Sequence, residues 1–384
     1  MTIEQLQAIY KPAKESALSG RYITNAHIKP LLDKYLGIAK VDVLGQSVKG
    51  DAIFSITIGN GDKRVLMWSQ MHGNESTTTK AIFDFLNACT LACETTTYIL
   101  KNCTLLIIPI LNPDGAKAYT RVNANGVDLN RDAHALTQPE SNILNTVFKN
   151  FKPHFCFNLH GQRTIFGAGS ANFPATVSFL APAQDSTCTV TPNRKVAMQI
   201  IAKMNCMLQH IIPNQVGVYD DAFNINCVGD TFQAKHIPTI LFEAGHYSND
   251  YLREKTREFI FISYITALHY IVSEAIDGKG FEPYFDIPEN EKTFFDVIIK
   301  NANVKTDKTE IVDIAFQFEE RLVGGAIEFI PKVVKIENEL NFFAHKTIDA
   351  KGEQVSDLDN NRLEIDSENV FVKINNMKIA LFSK

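Results

Sequence analysis

Three stretches of continuous apolar sequence restrict the fold of this chain more than any other feature. Each is short and bounded by polar residues: CTLLIIPILN (103–112), HFCFNLH (154–160) and IPTILFEAG (237–245). Strands covered on both faces have this pattern, whereas a strand with one solvated face alternates apolar and polar residues. Helical periodicity lies between these stretches, at about 139–151, 193–210 and 251–275. Strands that alternate with helices predict an α/β layered domain with a parallel or mixed sheet.

The two ends of the chain differ from this central part. Residues 1–38 have apolar residues at helical spacing, and we interpret them as a helical segment packed on the central domain, residues 39–284. After Lys292 the chain consists of short runs rich in β-branched and aromatic residues. The range 285–384 is therefore predicted to be a smaller β-rich accessory domain, and a sandwich is the expectation by analogy.

Composition excludes several classes of protein. The 384 residues are 45% hydrophobic and 21% charged, with a formal net charge of -5, which argues against general nucleic-acid binding. No apolar run reaches the roughly 18 residues of a membrane span, and the N-terminus does not have the pattern of a signal peptide. The seven cysteines, an odd number, favour free thiols in a reducing compartment. We therefore expect a cytoplasmic protein that binds neither membranes nor nucleic acid.

Four side chains at the ends of apolar strands point to metal chemistry. His72 and Glu75 are three residues apart on the turn after one predicted strand, and His160 ends another. Imidazole and carboxylate groups are preferred zinc ligands, and three protein ligands leave one position for water. Glu243 closes the apolar run 237–245, where a carboxylate is costly to bury without a partner or a task. Each residue alone is weak evidence, because a short H-x-x-E match or a single histidine occurs often by chance.

The segment 111–132, LNPDGAKAYTRVNANGVDLNRD, contains turn residues, amides and two arginines. Arginine binds carboxylates in bidentate fashion, so Arg121 and Arg131 are candidates for gripping anions. Asn130 adds a neutral donor next to Arg131. Any one of these residues would by itself be read as part of a solvated loop.

Taken in order, these motifs resemble the zinc carboxypeptidase (M14-type) family. The order is HGNE, NPDG, R-x-N-x-x-G-V-D-L-N-R, NLHG and a glutamate at a strand end, and the likeness covers about 39–280. The resemblance implies an α/β fold with a mixed sheet of roughly eight strands, flanked by helices, and one zinc ion per chain at the strand ends. It also implies that His72, Glu75 and His160 are the metal ligands and that Glu243 is the general base.

The same resemblance assigns residues that contact the substrate. Arg121 is similar in position to the arginine that stabilises the oxyanion, and Asn130 and Arg131 to the pair that binds a terminal carboxylate. Tyr219 is the best match for a mobile tyrosine that the family uses. Two departures from the family pattern leave the identity of the substrate open. Asp132 follows Asn-Arg where the family usually has asparagine and an aromatic residue, and Glu243 is followed by Ala-Gly.

The function that these residues predict is hydrolysis of the C-terminal amide bond of short peptides by a zinc metallocarboxypeptidase. The substrate would be a peptide or small acidic amide with a free carboxylate. A zinc amidohydrolase or deacylase acting on N-acyl amino acids or murein peptides needs the same centre and stays open. A zinc-binding pseudoenzyme is less favoured, because such a protein need not keep Glu243. The sequence also leaves a homo-oligomer open.

Overall fold

A computed structural model describes residues 1–91, 93–304 and 310–382. The chain divides into two compact units, each made of two stretches of sequence. The first unit consists of residues 1–162 and 175–290, and the second of residues 163–174 and 291–384. The range 39–284 predicted from sequence therefore includes a short segment, 163–174, that belongs to the second unit.

The first unit is built on an eight-stranded mixed sheet, which confirms the predicted fold class. Its strands, numbered along the whole chain, are β1 (Ala39–Gln46), β2 (Ala52–Ile58), β3 (Lys63–Ser69), β4 (Cys103–Ile108), β5 (Phe155–Gly161), β7 (Val177–Leu180), β8 (Val216–Val218) and β9 (Thr239–Ala244). Their order in the sheet is β1-β2-β4-β3-β5-β9-β7-β8. The central strands β4, β3, β5 and β9 are parallel, and three of them are the apolar stretches.

Helices cover both faces of this sheet, which explains the continuous apolar sequence of its central strands. They are α1 (Ile3–Ala13), α2 (Asn25–Leu32), α3 (Thr77–Thr90), α4 (Glu94–Asn102), α5 (Pro113–Ala118), α6 (Pro139–Phe151), α7 (Pro192–Leu208), α8 (Val228–Ala234) and α9 (Glu254–Ser273). On β3, Val65 and Met67 join the apolar core that contains α3, α7 and α9. Leu66 and Trp68 join the opposite core, under α6 and α8. Alternate residues of one strand thus enter different cores.

Buried charged residues of α3 and α9 pair with one another and hold the N-terminal segment through hydrogen bonds to its backbone. We call the five residues concerned the ionic cluster: Glu15, Lys80, Asp84, Glu254 and Arg257. The Arg257 guanidinium binds the Asp84 carboxylate and also donates to the backbone carbonyls of Glu15 and Leu18. Because the arginine is fully buried, these carbonyls and the carboxylate together replace its hydration.

The second unit is rich in β-structure, as predicted. Its strands are β6 (Phe166–Ala168), β10 (Asn290–Lys292), β11 (Phe294–Asn303), β12 (Ile311–Val323), β13 (Ala326–Glu337), β14 (Phe343–Asp349), β15 (Val355–Ser356), β16 (Phe371–Ile374) and β17 (Met377–Ala380). They form sheets ordered β13-β12-β11-β14, β15-β16-β17 and β10-β6. Apolar residues of the four-stranded and three-stranded sheets share one core. The prediction of a sandwich stays a prediction.

Residues 163–174 form a short hairpin that is fastened within the second unit. The Phe294 N–H donates to the Ile165 carbonyl at 3.1 Å, and the His345 ring nitrogen Nε2 lies 2.8 Å from the Thr164 carbonyl oxygen. The Gln317 amide donates to the Thr164 hydroxyl at 2.7 Å. The chain therefore leaves the first unit two residues after His160 and returns to it at Ala175.

All seven cysteines carry free thiols. In the part of the chain that is described, no helix is both long enough and apolar enough to cross a bilayer.

Candidate metal centre

The three side chains predicted as metal ligands meet at the carboxyl ends of β3 and β5. The Nδ1 atom of His72 lies 2.9 Å from Glu75 Oε1, and Nδ1 of His160 lies 3.0 Å from Glu75 Oε2. The two Nδ1 atoms are 3.0 Å apart. All ligand atoms fall within 4.8 Å of one another, and both histidines are buried. We call these three residues the metal-ligand cluster.

Parallel pairing of the strands brings these residues to the same edge of the sheet. In the register of β3 and β5, Ser69 pairs with Leu159, so both strands end at one level. His160 pairs in turn with Glu243 on β9, which places the predicted base beside a predicted ligand. The carboxyl ends of neighbouring parallel strands are where α/β sheets usually place functional side chains.

Two motifs that are separate in sequence contact each other directly and shape the turn after β3. A Cβ atom on Gly73 would lie 1.9 Å from the Gly115 carbonyl carbon, so the HGNE turn lies against the NPDG backbone. The Asn112 side chain donates to the Met71 carbonyl at 3.1 Å and accepts the Gly115 N–H at 2.8 Å. The asparagine thereby caps α5 and braces the residue before His72.

The sequence did not reveal the role of Asp128, which orients His72. The Asp128 Oδ1 atom lies 3.0 Å from His72 Nε2, so a proton on Nε2 leaves the Nδ1 lone pair directed into the cluster. Burial lowers the pKa of His72, but the charge of Glu75 and the hydrogen bond to Asp128 outweigh it and raise that pKa. The GVDLNR motif contained the signal, because it brings an aspartate close to Arg121 in sequence.

The electrostatics of the cluster suit a divalent cation. Burial alone would raise the pKa of Glu75, but the adjacent His72 and His160 hold it well below the ordinary value. Burial lowers the pKa of His160, which keeps its ring neutral as a metal ligand requires. Two imidazole rings and a carboxylate that lie within reach of one ion form a donor set that zinc prefers. The residues therefore fit the metal that the sequence implied.

Glu243 lies on β9 directly opposite His160 in the sheet. Within the described residues, its Oε2 atom is buried and has no hydrogen-bond partner. Burial, together with the charge of Glu75, raises the pKa of Glu243 well above its ordinary value. A carboxyl group with a raised pKa that lacks a structural partner is a candidate acid–base catalyst.

The predicted substrate residues lie beside the cluster and are linked to it through Asp128. Arg121 is half-exposed, and its Nε atom donates to Asp128 Oδ2 at 3.0 Å while Nη1 lies 3.4 Å from Glu75. Asp128 Oδ1 also accepts the Asn130 N–H at 2.9 Å. The Arg131 side chain is exposed and lies 3.1 Å from the Cys227 sulfur through Nη1. The structure brings Arg121 to the cluster and leaves Arg131 at its rim.

Tyr219 lies one residue beyond β8, where its N–H donates to the Phe179 carbonyl at 3.1 Å. Burial raises the pKa of the Tyr219 phenol, and the charges of Glu243 and Glu75 raise it further. The hydroxyl therefore stays protonated at neutral pH.

The departure at Asp132 has a structural explanation. Its carboxylate accepts the N–H groups of Thr137 and Gln138, both at 2.9 Å, so it stabilises the turn that leads into α6. The Asp132 side chain is buried, and neither of these hydrogen bonds involves the metal-ligand cluster.

Comparison with known proteins shows which family part of this chain is similar to. The sequence profile described as Zinc carboxypeptidase matches residues 24–177. Carboxypeptidase SOL1 of Arabidopsis thaliana is 27% identical over 198 residues, which are 45% of this chain and 39% of that protein. Gamma-D-glutamyl-L-diamino acid endopeptidase 1 of Lysinibacillus sphaericus is 39% identical over 80 residues, 19% of this chain and 20% of that protein. The chain thus spans well under half the length of these curated relatives.

Solved structures show the same fold. The metallo-carboxypeptidase from Burkholderia cenocepacia aligns with a TM-score of 0.53 and 19% identity, over 65% of this chain and 69% of that chain. The metallo-carboxypeptidase from Pseudomonas aeruginosa aligns with a TM-score of 0.51 and 16% identity over the same shares. Residues 24–177 therefore match the zinc carboxypeptidase family, and the chain has the fold of the metallo-carboxypeptidases with which it aligns.

Proposed function

We propose that this chain is a zinc-dependent carboxypeptidase that hydrolyses the C-terminal amide bond of short peptides. The observation that carries the proposal is the meeting of His72, Glu75 and His160 within 4.8 Å, with Glu243, whose Oε2 atom is buried, on the adjacent strand. One zinc ion per chain held by the first three residues would supply Lewis acidity, which polarises a carbonyl and lowers the pKa of water.

Glu243 has the properties of the general base in this reaction. Its pKa is raised above that of an ordinary glutamate. A general base works best when its pKa lies near the operating pH. We assign it to accept the proton of the attacking water and to deliver that proton to the amine that leaves. Asp128 meanwhile holds the imidazole of His72 in one tautomer throughout.

The arginines bind the two negatively charged groups of the reaction. Arg121 donates to the oxygen of the tetrahedral intermediate, and Asp128 holds its guanidinium in place at 3.0 Å. Arg131 and Asn130 bind the carboxylate at the end of the substrate. A requirement for a free carboxylate makes the enzyme an exopeptidase or a hydrolase of small acidic amides.

Substitution of the base tests the proposal. The zinc-loaded Glu243→Gln protein should keep its metal and lose roughly 10²–10⁴-fold in kcat on a dipeptide panel. Metal content by atomic absorption and initial rates are the measurements. Glu140→Gln is the control, because Glu140 is a buried glutamate that accepts the Val48 N–H, away from the cluster. Near-full activity of Glu243→Gln would contradict the assignment.

The exopeptidase character has a separate test. Arg131→Ala should raise KM for peptides with a free C-terminus by roughly 10²-fold, because a charge-assisted bond is lost. Hydrolysis of the same peptides with an amidated C-terminus should change little. Equal losses on both substrates would remove Arg131 from the carboxylate site.

A second candidate is a zinc amidohydrolase that acts on murein peptides or N-acyl amino acids. It is favoured by the 39% identity to an enzyme named for cleavage at a gamma-D-glutamyl-L-diamino acid. Both functions need the same centre, so the site residues do not separate them. Hydrolysis rates on a panel of ordinary dipeptides, murein peptides and N-acyl amino acids would. Failure of every substrate with zinc bound would favour a pseudoenzyme.

A further inference from the structure

The first turn of α8 lies against the segment that contains Asn130 and Arg131. The Val228 N–H donates to the Asn130 side-chain oxygen Oδ1 at 3.0 Å, and the Cys227 sulfur lies 3.1 Å from Arg131 Nη1. Asn130 and Val228 are 98 positions apart, so no local spacing in the sequence indicates this contact. The start of one short helix thus contacts both residues that we assign to the substrate carboxylate.

The hydrogen bond between Val228 and Asn130 satisfies a need of the helix itself. A helix leaves its first four backbone N–H groups without an intrahelical acceptor, and the side chain just before the helix often supplies one. Cys227 occupies that position in α8, but within the described part of the chain its side chain makes no capping hydrogen bond. The Asn130 side chain supplies an acceptor instead, from a distant part of the sequence.

The same hydrogen bond fixes which end of the Asn130 amide a substrate can use. A backbone N–H only donates, so the atom that faces Val228 is the amide oxygen and not the NH2 group. The Asn130 backbone is held separately, because its N–H donates to Asp128 Oδ1 at 2.9 Å. Among the contacts of the described residues, this leaves Nδ2 as the side-chain atom of Asn130 that a substrate can bind, and Nδ2 is a donor.

We propose that Val228 is a positioning residue, whose N–H holds Asn130 as a hydrogen-bond donor and so makes the site select a free carboxylate over a carboxamide. A carboxylate accepts at both oxygens, whereas the NH2 group of a carboxamide would face the donors of Asn130 and Arg131. An asparagine that turned freely would instead offer its oxygen to that NH2 group. The inference rests on the proposed function, because it needs Asn130 and Arg131 to bind the end of the substrate.

A proline at position 228 of the zinc-loaded full chain tests this inference. Proline is favoured at the first position of a helix, and Cys227 has the extended backbone, φ −76° and ψ 137°, that the residue before a proline adopts. Val228→Pro should therefore remove the N–H and leave α8 in place. Val228→Ala is the matched comparison, because it loses the packing of the same buried side chain but keeps the N–H.

The measurement compares one peptide with a free C-terminus and the same peptide with a C-terminal amide. We expect the ratio of their kcat/KM values to be roughly tenfold lower in Val228→Pro than in Val228→Ala, because a donor to a charged group is freed to turn away. Where the amide is hydrolysed too slowly to measure, KM for the free peptide should differ roughly tenfold between the two variants, with kcat within about twofold. A general disturbance of the site would lower kcat/KM on both peptides alike. An equal ratio, or an equal KM, in the two variants would overturn the inference.

Asn130→Ala keeps the test valid if Val228→Pro does not fold. An Asn130 amide held as a donor favours only the free peptide, so its loss should lower the ratio roughly tenfold. An amide that turned freely would serve both peptides, and an unchanged ratio in Asn130→Ala would overturn the inference. In the Asn130→Ala background, Val228→Pro and Val228→Ala should then have equal ratios.

Arg131→Ala separates failure of this inference from failure of the proposed function. If Arg131→Ala leaves KM for the free peptide unchanged, the proposed carboxylate site itself is wrong. If Arg131→Ala raises that KM while Val228→Pro matches Val228→Ala, the carboxylate site stands and only the role of the Val228 N–H is overturned.

Discussion

The ionic cluster and the metal-ligand cluster are both buried groups of charged residues in the first unit, but their charges are balanced differently. In the ionic cluster each acid contacts a base: Asp84 binds Arg257, and Glu254 lies 2.6 Å from Lys80 and 3.2 Å from Arg257. Around the metal-ligand cluster, the carboxylates Glu75, Asp128 and Glu243 surround two imidazoles, and Arg121 contributes a guanidinium.

This difference distinguishes a structural cluster from a functional one. Burying charge is favourable only when each charge is compensated by opposite charge or hydrogen bonds. The ionic cluster achieves this with basic side chains, Lys80 and Arg257 within it and Lys34 beside Glu15, and it also fastens the N-terminal segment. Around His72 and His160 negative charge is in excess, which a divalent cation would compensate. The comparison leads to four predictions, from the largest expected effect to the smallest.

Loss of a metal ligand should abolish function without unfolding the protein. His160→Ala should fail to retain zinc after dialysis and should lower kcat/KM by about 10³-fold or more, since Lewis acidity contributes several kcal/mol. Atomic absorption and rates on the preferred peptide measure both effects. In contrast, the folded fraction of Asp84→Asn should hold zinc as the wild type does. A His160→Ala enzyme that is active without zinc would show that the metal-ligand cluster does not differ from the ionic cluster in function.

Loss of an acid from the ionic cluster should destabilise the fold. Asp84→Asn leaves the buried Arg257 without its bidentate partner, and we expect the free energy of unfolding to fall by about 3–5 kcal/mol. Urea denaturation followed by circular dichroism gives this value. An unchanged midpoint would show that the N-terminal segment depends little on this pair.

The ionic cluster should also weaken in acid through Glu254. Burial would raise the pKa of Glu254, but Lys80, Lys14 and Arg257 lower it from 4.5 to about 2. The unfolded chain therefore takes up this proton first as the pH falls, so stability present above pH 4.5 is lost progressively down to about pH 2. The full shift corresponds to at most about 3 kcal/mol. Denaturation midpoints of wild type and Glu254→Gln should converge across this window.

Removing an acid near the metal-ligand cluster should have the opposite effect on stability. In the zinc-free protein, Glu243→Gln removes a buried carboxyl group that Glu75 repels, so it should raise the free energy of unfolding by about 1 kcal/mol. Denaturation in the presence of a chelator is the measurement. The control is Glu140→Gln, for which we expect no gain. Destabilisation by Glu243→Gln would mean that this carboxyl group has a structural task.

The sequence predicted the mixed sheet and the residues that meet at its edge for a physical reason. His72, His160 and Glu243 each follow a continuous apolar run, and parallel strands bring such ends together. Local spacing is enough for this inference. Residues 94–102 were not predicted as α4, because three consecutive threonines lower helix propensity.

Contacts between distant parts of the chain could not be predicted. Gln162 and Asn290 are 128 positions apart, and neither belongs to a recognisable motif. The contact between Gly73 and Gly115 joins two motifs, but only the structure shows that their backbones touch. The roles of Asn130, Arg131 and Tyr219 stay predictions until kinetics test them.

The hairpin at 163–174 has a consequence for how the chain is made. On the ribosome these residues emerge well over a hundred positions before β11 and β12, which supply their partners. The second unit therefore cannot complete its fold until the strands from β11 onwards have been synthesised. A truncated chain that stops at residue 290 would retain the hairpin without the strands that bind it. Such a fragment is therefore a poor test of whether the first unit folds by itself. A better fragment lacks both stretches of the second unit, 163–174 and the residues after 290, and has a short linker that joins 162 to 175.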